Sequence, residues 1–248
     1  MTLTVFGAGE LGGRIAARWK GPVRAVTKTV RRHAELAAHG ASPTLDWPAL
    51  TPDDLAVLAL SGSASQLEAI ERLAHGPVPR RVLLVSTTGF HRPYEGTVRP
   101  TDPPGSEPRA QAAARTEQAF REWAGDRGVI LRCAGLWHAT RGPGAAFARS
   151  RTAPPGAPDA PIPLVHYDDA ATLAVAALLV PSPPVLLAVT ATPSREAFYA
   201  AAAAVVGCDP PVFTAPTGDI VAFEDPTAVA LMGDPEHRDW RSGVQGVR

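Results

Sequence analysis

Cysteine and lysine are scarce in this 248-residue chain, with two of each: Cys133 and Cys208, Lys20 and Lys28. Two cysteines make neither a disulfide framework nor a thiolate metal cluster, so both read as small buried hydrophobes. An excess of charge is missing as well. Twenty-four Lys and Arg face 24 Asp and Glu, so no global field attracts nucleic acid or an anionic membrane. No apolar run is long enough to span a bilayer, which takes about 20 residues. The first strand signal starts almost at Met1, with no charged stretch and apolar core ahead of it, so no secretory leader is expected. These absences leave a soluble, cytoplasmic protein with a small-molecule partner as the expectation, and a homodimer as the candidate assembly.

What is present begins with "TLTVFGAGELGGRIAARW". Thr2 to Phe6 is a short β-branched and apolar run that suits a buried parallel strand. Gly7, Gly9 and Gly12 follow at once, with Glu10 and Leu11 between the last two. In a dinucleotide-binding turn the first glycine permits the sharp bend. The second lets a pyrophosphate approach the backbone, and the third lets helix and strand pack closely. Leu11, Ile15, Ala16 and Trp19 have helical spacing, so the free N–H groups between Gly9 and Gly12 would face an anion.

Strand and helix signals then alternate. "VRAVT", "DLAVLAL", "RRVLLVSTTG" and "GVILRCAG" read as strands; "RRHAELAAHG", "SQLEAIERLA" and "RAQAAARTEQAFREWA" read as helices between them. The alternation predicts an α/β fold with a doubly wound parallel sheet. Proline-rich stretches such as "TAPPGAPDAPIP" read as loops over that sheet.

The second strand bears on the cofactor. An NAD site usually offers Asp or Glu about 20 residues beyond the first glycine, for the ribose hydroxyls. Here Thr27, Lys28, Arg31 and Arg32 stand at that point with no carboxylate among them. Donors and cations without an acid suit a 2′-phosphate, so NADP(H) is expected in preference to NAD(H).

Four segments, "FGAGELGGRIA", "LLVSTTGF", "VILRCAGLW" and "LVHYDDAA", in that order resemble the extended and atypical short-chain dehydrogenase/reductases, which include the NAD(P)-dependent epimerases and dehydratases. The resemblance runs from residue 2 to about residue 180, and "HRDWRSGV" is similar to a late motif of the same proteins. It implies a Rossmann domain with a small C-terminal substrate-binding part, divided into a nucleotide-binding core at about 1–132 and 164–190 and a substrate side at about 133–163 and 191–248, with a bound NAD(P) and chemistry at the carboxyl end of the sheet. By the same likeness Asp46 would contact the adenine, while Ser61 and Gly62 would line the nicotinamide side. His166 belongs to a packing and orienting motif.

The chemistry departs from that pattern. The family pairs a Ser or Thr after the fifth strand with Tyr-x-x-x-Lys on the next helix, where Lys lowers the Tyr pKa from about 10. Thr88, or Thr87 beside it, matches the hydroxyl. None of Tyr94, Tyr167 and Tyr199 has a lysine four residues on. Anchoring the helix on Arg115 turns the Tyr into Gln111; anchoring it on Glu117 turns the pair into Arg109 and Ala113. Substitute proton donors are Tyr94 and His91 in "GFHRPYEG" and His138 in "GLWHAT". Three readings follow: an oxidoreductase or epimerase on a small carbonyl or hydroxyl substrate with a non-standard donor, a non-catalytic NADP(H)-binding sensor or scaffold, and another Rossmann reductase such as a ketopantoate-reductase-like enzyme. Trp137, His138, Arg141 and the loop 142–163 would form the substrate side, where Arg141 or Arg149 could pair a carboxylate or phosphate.

Overall fold

The structure is a computed structural model that describes residues 1–181, 183–215 and 221–245. Seven strands form one parallel sheet: β1 (Leu3–Phe6), β2 (Val23–Val26), β3 (Ser42–Thr44), β4 (Leu55–Leu58), β5 (Arg81–Thr87), β7 (Gly128–Cys133) and β10 (Val185–Ala188), in spatial order β10-β7-β5-β4-β1-β2-β3. The helices of this part are α1 (Glu10–Arg18), α2 (His33–Ala38), α3 (Ser63–Leu73), α4 (Pro108–Ala124) and α6 (Tyr167–Leu179). The expected doubly wound Rossmann architecture is thus present.

Alternation along the strands builds a layer on each face. Leu3, Val5, Leu83, Val129 and Leu131 point into one apolar layer with α1 and α6, while Phe6, Leu58, Leu84, Ile130 and Phe120 fill the other. Both faces are covered, which is why these strands read as nearly continuous hydrophobic runs. Truncating a residue such as Leu83, which is fully buried, to Ala would cost about 2–5 kcal/mol.

Two short ribbons lie outside the main sheet. β8 (Gly135–Trp137) pairs with β9 (Leu164–His166), and β6 (Thr97–Val98) pairs with β11 (Ala222–Phe223). The remaining helices are α5 (Pro143–Ser150), α7 (Arg195–Val206), α8 (Pro226–Met232) and α9 (Trp240–Gln245). Trp137, Phe147, Phe198, Tyr199 and Trp240 give this part its own apolar cluster.

"VHYDDAA" ties the pieces together. Asp168 accepts from Arg14 and Arg18 of α1 at 2.6 Å each, and Asp169 accepts from the backbone of Glu236 and His237 at 2.9 and 3.3 Å. One aspartate fastens α6 to α1, and its neighbour fastens the C-terminal segment. Among the described residues no helix is long and apolar enough to cross a membrane.

Candidate functional site

β1 pairs with β2 on one side and β4 on the other, and the chain reverses its direction of winding between them. Such a switch point leaves a crevice at the carboxyl ends of the strands. Here the crevice is a cleft of about 410 Å³, with Gly7 to Gly9 at its floor and Thr27, Lys28, Trp47, Ser61 and Arg72 in its walls.

The glycine turn is built for close approach. Gly7 has φ +85°, and a Cβ on it would meet the Ala59 carbonyl at 2.8 Å. A Cβ on Gly12 would come within 2.4 Å of the Gly7 carbonyl, so α1 can lie against the turn only with glycine there. A Cβ on Gly9 would meet nothing closer than the Gly7 carbonyl at 3.9 Å. Gly9 therefore leaves its space to the cleft and not to the protein. The first α1 bond runs from Gly13 N–H to Gly9 O at 2.8 Å, which leaves the amides of Glu10, Leu11 and Gly12 without an intrahelical acceptor. No side chain caps them. This cradle fits the pyrophosphate of a dinucleotide.

At the end of β2 the expectation of four donors without an acid needs correction. Thr27, Lys28, Thr29 and Arg32 line the cleft; Arg31 is exposed and outside its wall. Glu35, one helical turn on, accepts from Arg32 Nε at 2.9 Å and from its Nη2, and this bond raises the guanidinium pKa. The Thr27 hydroxyl is engaged too, donating to Thr29 O at 2.9 Å and meeting His33 Nε2 at 2.8 Å. Lys28 is exposed, and among the described residues no carboxylate pairs with it.

Trp47 and Arg72 were not foreseen. Trp47 packs on Phe6 with ring centroids 4.6 Å apart, and the Arg72 guanidinium lies 4.8 Å from its ring. Together they form a flat wall, while the neighbouring Asp46 is exposed and outside it. The one sequence signal was an aromatic residue in the otherwise polar "TLDWP". Ser61 stands in the same wall as Trp47, and Gly62, at φ +87°, opens α3.

Beyond β5 the chain makes a short 3₁₀ turn, Thr88–His91. The Thr87 hydroxyl accepts from Gly89 N–H at 3.0 Å and caps the turn. Thr88, 2% exposed, meets the Tyr94 hydroxyl at 3.2 Å. Tyr94 stands edge-on to Phe223 at 5.2 Å. The segment that follows folds back over the start of α4, with Gly105 N–H bonded to Phe90 O and Glu107 N–H to Arg92 O. On the helix beneath, Arg109 and Gln111 are exposed and Ala113 is buried. The tyrosine hydroxyl that meets Thr88 thus comes from the loop above α4 and not from the helix.

His91 does not suit the donor role. It is 5% exposed and its Nε2 accepts from Arg132 Nη1 at 2.9 Å. Burial, then the Arg132 charge, pushes its pKa down to about 4, so the ring is a neutral core group at neutral pH. His138 is only half-buried. Its Nδ1 accepts from Thr140 N–H at 3.3 Å, which puts the proton on Nε2, 3.4 Å from Glu10 Oε1. Burial lowers its pKa and the Glu10 charge offsets part of that. Its ring packs on Tyr167 at 5.1 Å.

His166, Asp168 and His237 place potential ligand atoms within 4.8 Å of one another. Asp168, however, is held by two guanidinium groups, and His166 Nδ1 accepts from Asp168 N–H at 3.1 Å as the N-cap of α6. Two arginines already stand where a cation would need the carboxylate. The imidazoles of His166 and His237 pack on each other at 3.6 Å, in keeping with a joint between segments.

A parallel seven-stranded sheet with a glycine turn at its switch point and a threonine turn after β5 is a Rossmann-type fold that this chain shares with solved structures of epimerase-like proteins. Solved structures with this architecture include a functionally unknown conserved protein from Silicibacter pomeroyi DSS (TM-score 0.76, 19% identity, 99% of this chain and 97% of that one). Another is human epimerase family protein SDR39U1, isoform 2, with NADPH (TM-score 0.72, 16% identity, 100% and 99%). A third is the UDP-glucose 4-epimerase of Thermotoga maritima with UDP-glucose (TM-score 0.72, 16% identity, 100% and 97%). By sequence the chain is 29% identical over 185 residues to protein YeeZ of Escherichia coli strain K12, a match covering 68% of this chain and 65% of that protein. No protein-family model matches.

Proposed function

We propose that this protein binds NADP(H) in the cleft at the switch point and acts as an oxidoreductase or epimerase on a small carbonyl or hydroxyl substrate, with Thr88 and Tyr94 as its hydroxyl pair. The observation that carries the reading is the 3.2 Å contact between Thr88 Oγ1 and Tyr94 Oη at the carboxyl end of β5. The cradle of Gly7, Gly9 and Gly12 and the neighbouring structures with NADPH or NAD support the cofactor.

The turn of Gly7, Gly9 and Gly12 would hold the dinucleotide, which would supply hydride donation or acceptance there. The protein has to hold the substrate oxygen and exchange a proton with it. Thr88 donates a hydrogen bond to that oxygen from its buried position, and Tyr94, hydrogen-bonded to Thr88, delivers or removes the proton. His138, backed by Glu10, is the second candidate for the proton.

The test is NADPH-linked reduction of a panel of small aldehydes and ketones. Tyr94→Phe keeps the ring against Phe223 and removes the hydroxyl, so it should lower kcat by about 10²–10⁴-fold with unchanged NADPH affinity. Activity that survives Tyr94→Phe and falls in His138→Gln would move the role to His138. A second reading, a non-catalytic NADP(H) sensor, draws on the absence of the Tyr and Lys from α4. Tight NADPH binding without turnover on the whole panel would favour it.

A further inference from the structure

The most deeply buried charges among the described residues have no part in the chemistry described so far. Arg132 on β7 is 1% exposed, and Glu117 on α4 is fully buried. Arg132 Nε and Nη2 make two parallel bonds to the two Glu117 oxygens, at 3.0 and 2.8 Å. Ser86 and Arg121 also donate to that carboxylate, at 2.7 and 3.1 Å. The remaining nitrogen, Nη1, faces the other way. It donates to His91 Nε2 and to Pro100 O, both at 2.9 Å, and the Phe90 ring lies 3.5 Å from the guanidinium carbon.

His91 and Pro100 are the two feet of the segment that carries Tyr94, and a single nitrogen holds both. Ion pairs at this depth seldom add net stability, because removing two charges from water costs about as much as their attraction returns. An apolar pair of similar volume would join α4 to β7 equally well. It could not hold an imidazole nitrogen and a carbonyl oxygen, which both require a donor.

We propose that Arg132, clamped by Glu117, is the positioning residue of the Thr88–Tyr94 pair: its guanidinium fixes both feet of the loop and so sets the Tyr94 hydroxyl against Thr88. The proposal rests on the reading of that pair as the reacting groups.

Arg132→Met alone leaves Glu117 fully buried with the partly exposed Arg121 as the cation still bonded to it, and a fall in Tm of about 10 °C is expected whatever the role of the loop. The deciding variant is the double substitution Glu117→Gln with Arg132→Met, which removes both charges and keeps an acceptor for Ser86. Its Tm should return to within a few degrees of wild type. Amide exchange at Gly105 and Glu224, whose N–H groups bond to Phe90 O and Val98 O, should nevertheless speed up at least tenfold. The kcat should fall tenfold or more while KM for NADPH is unchanged, since the cleft wall is untouched. Wild-type protection and kcat in the stable double variant would overturn the positioning role. Protection lost in the double variant with no turnover in wild type would overturn the reacting-pair reading and leave Arg132 as a loop anchor only. Should the double variant fail to fold, Arg132→Lys carries the same comparison, because one ammonium keeps the charge beside Glu117 but cannot reach all of the acceptors.

Discussion

On the proposed reading, in which the cleft takes NADP(H) in preference to NAD(H), the choice falls to a single lysine. Arg32 shares its charge with Glu35 and Arg31 stands outside the wall, so the 2′-phosphate of NADP(H) would depend on Lys28. One charge-assisted contact is worth about 1.5–3 kcal/mol, a factor of ten or more. NADPH should therefore bind at least tenfold more tightly than NADH in calorimetric titrations. Lys28→Met should bring the two affinities together, whereas Arg31→Met should leave the ratio as it is. Equal affinities in the wild type would end this reading. Trp47 belongs to the same scale. It was invisible as a wall residue because nothing in the sequence states that Phe6, at the end of β1, and Arg72, on α3, will flank it.

The turn between β1 and α1 separates binding from folding within four residues. Gly9 has φ −77° and open space where its Cβ would be, so Gly9→Val should fold normally and lose dinucleotide affinity. Gly12→Ala should do the reverse first. Its Cβ meets a backbone carbonyl at 2.4 Å that cannot move aside, and overpacking of this kind costs about 2 kcal/mol, a Tm fall of roughly 4–8 °C at this chain length. Thermal melts with and without NADPH separate the two. Full affinity in folded Gly9→Val would mean that the turn is structural only. Elements of this kind were legible in the sequence because the signal is local: alternating strands, helical spacing and glycines at fixed offsets. Both edge strands were missed. β3 has three residues with Pro43 at its centre, which only an edge tolerates, and β10 is four apolar residues behind a proline-rich stretch. Tyr94 as a candidate proton donor was legible from its nearness to Thr88 in the sequence. That the loop folds back over α4 could not, since it depends on Arg132 reaching His91 and Pro100 across more than 30 residues of chain.

Across the whole molecule, two histidines act as joints, and their titration should be visible in global stability. His91 holds the Tyr94 loop to the sheet, and His166, packed on His237 and edge-on to Trp137 at 4.6 Å, lies where the C-terminal segment meets α6. Burial, followed by Arg132 for His91 and by His237 for His166, pushes each pKa down to about 4. An unfolded imidazole titrates at about 6.5. Below that pH the unfolded chain binds two protons that the native state refuses, so stability is complete above about 6.5, falls as pH drops towards about 4, and levels off beneath it. The slope from these two sites can reach about 2.7 kcal/mol per pH unit. Among the carboxyls of the same joint, Asp168 is raised by burial but held below its ordinary value by Arg14 and Arg18, so its own loss comes at still lower pH. Burial raises Asp169, which opposes the trend only near the bottom of the window. Urea unfolding at intervals between pH 7 and 4.5 measures the slope. His166→Asn keeps an oxygen to cap Asp168 N–H and removes the titration, so it should cut the slope by close to half. The assignment fails if wild-type stability is flat across that range, or if His166→Asn retains the full slope.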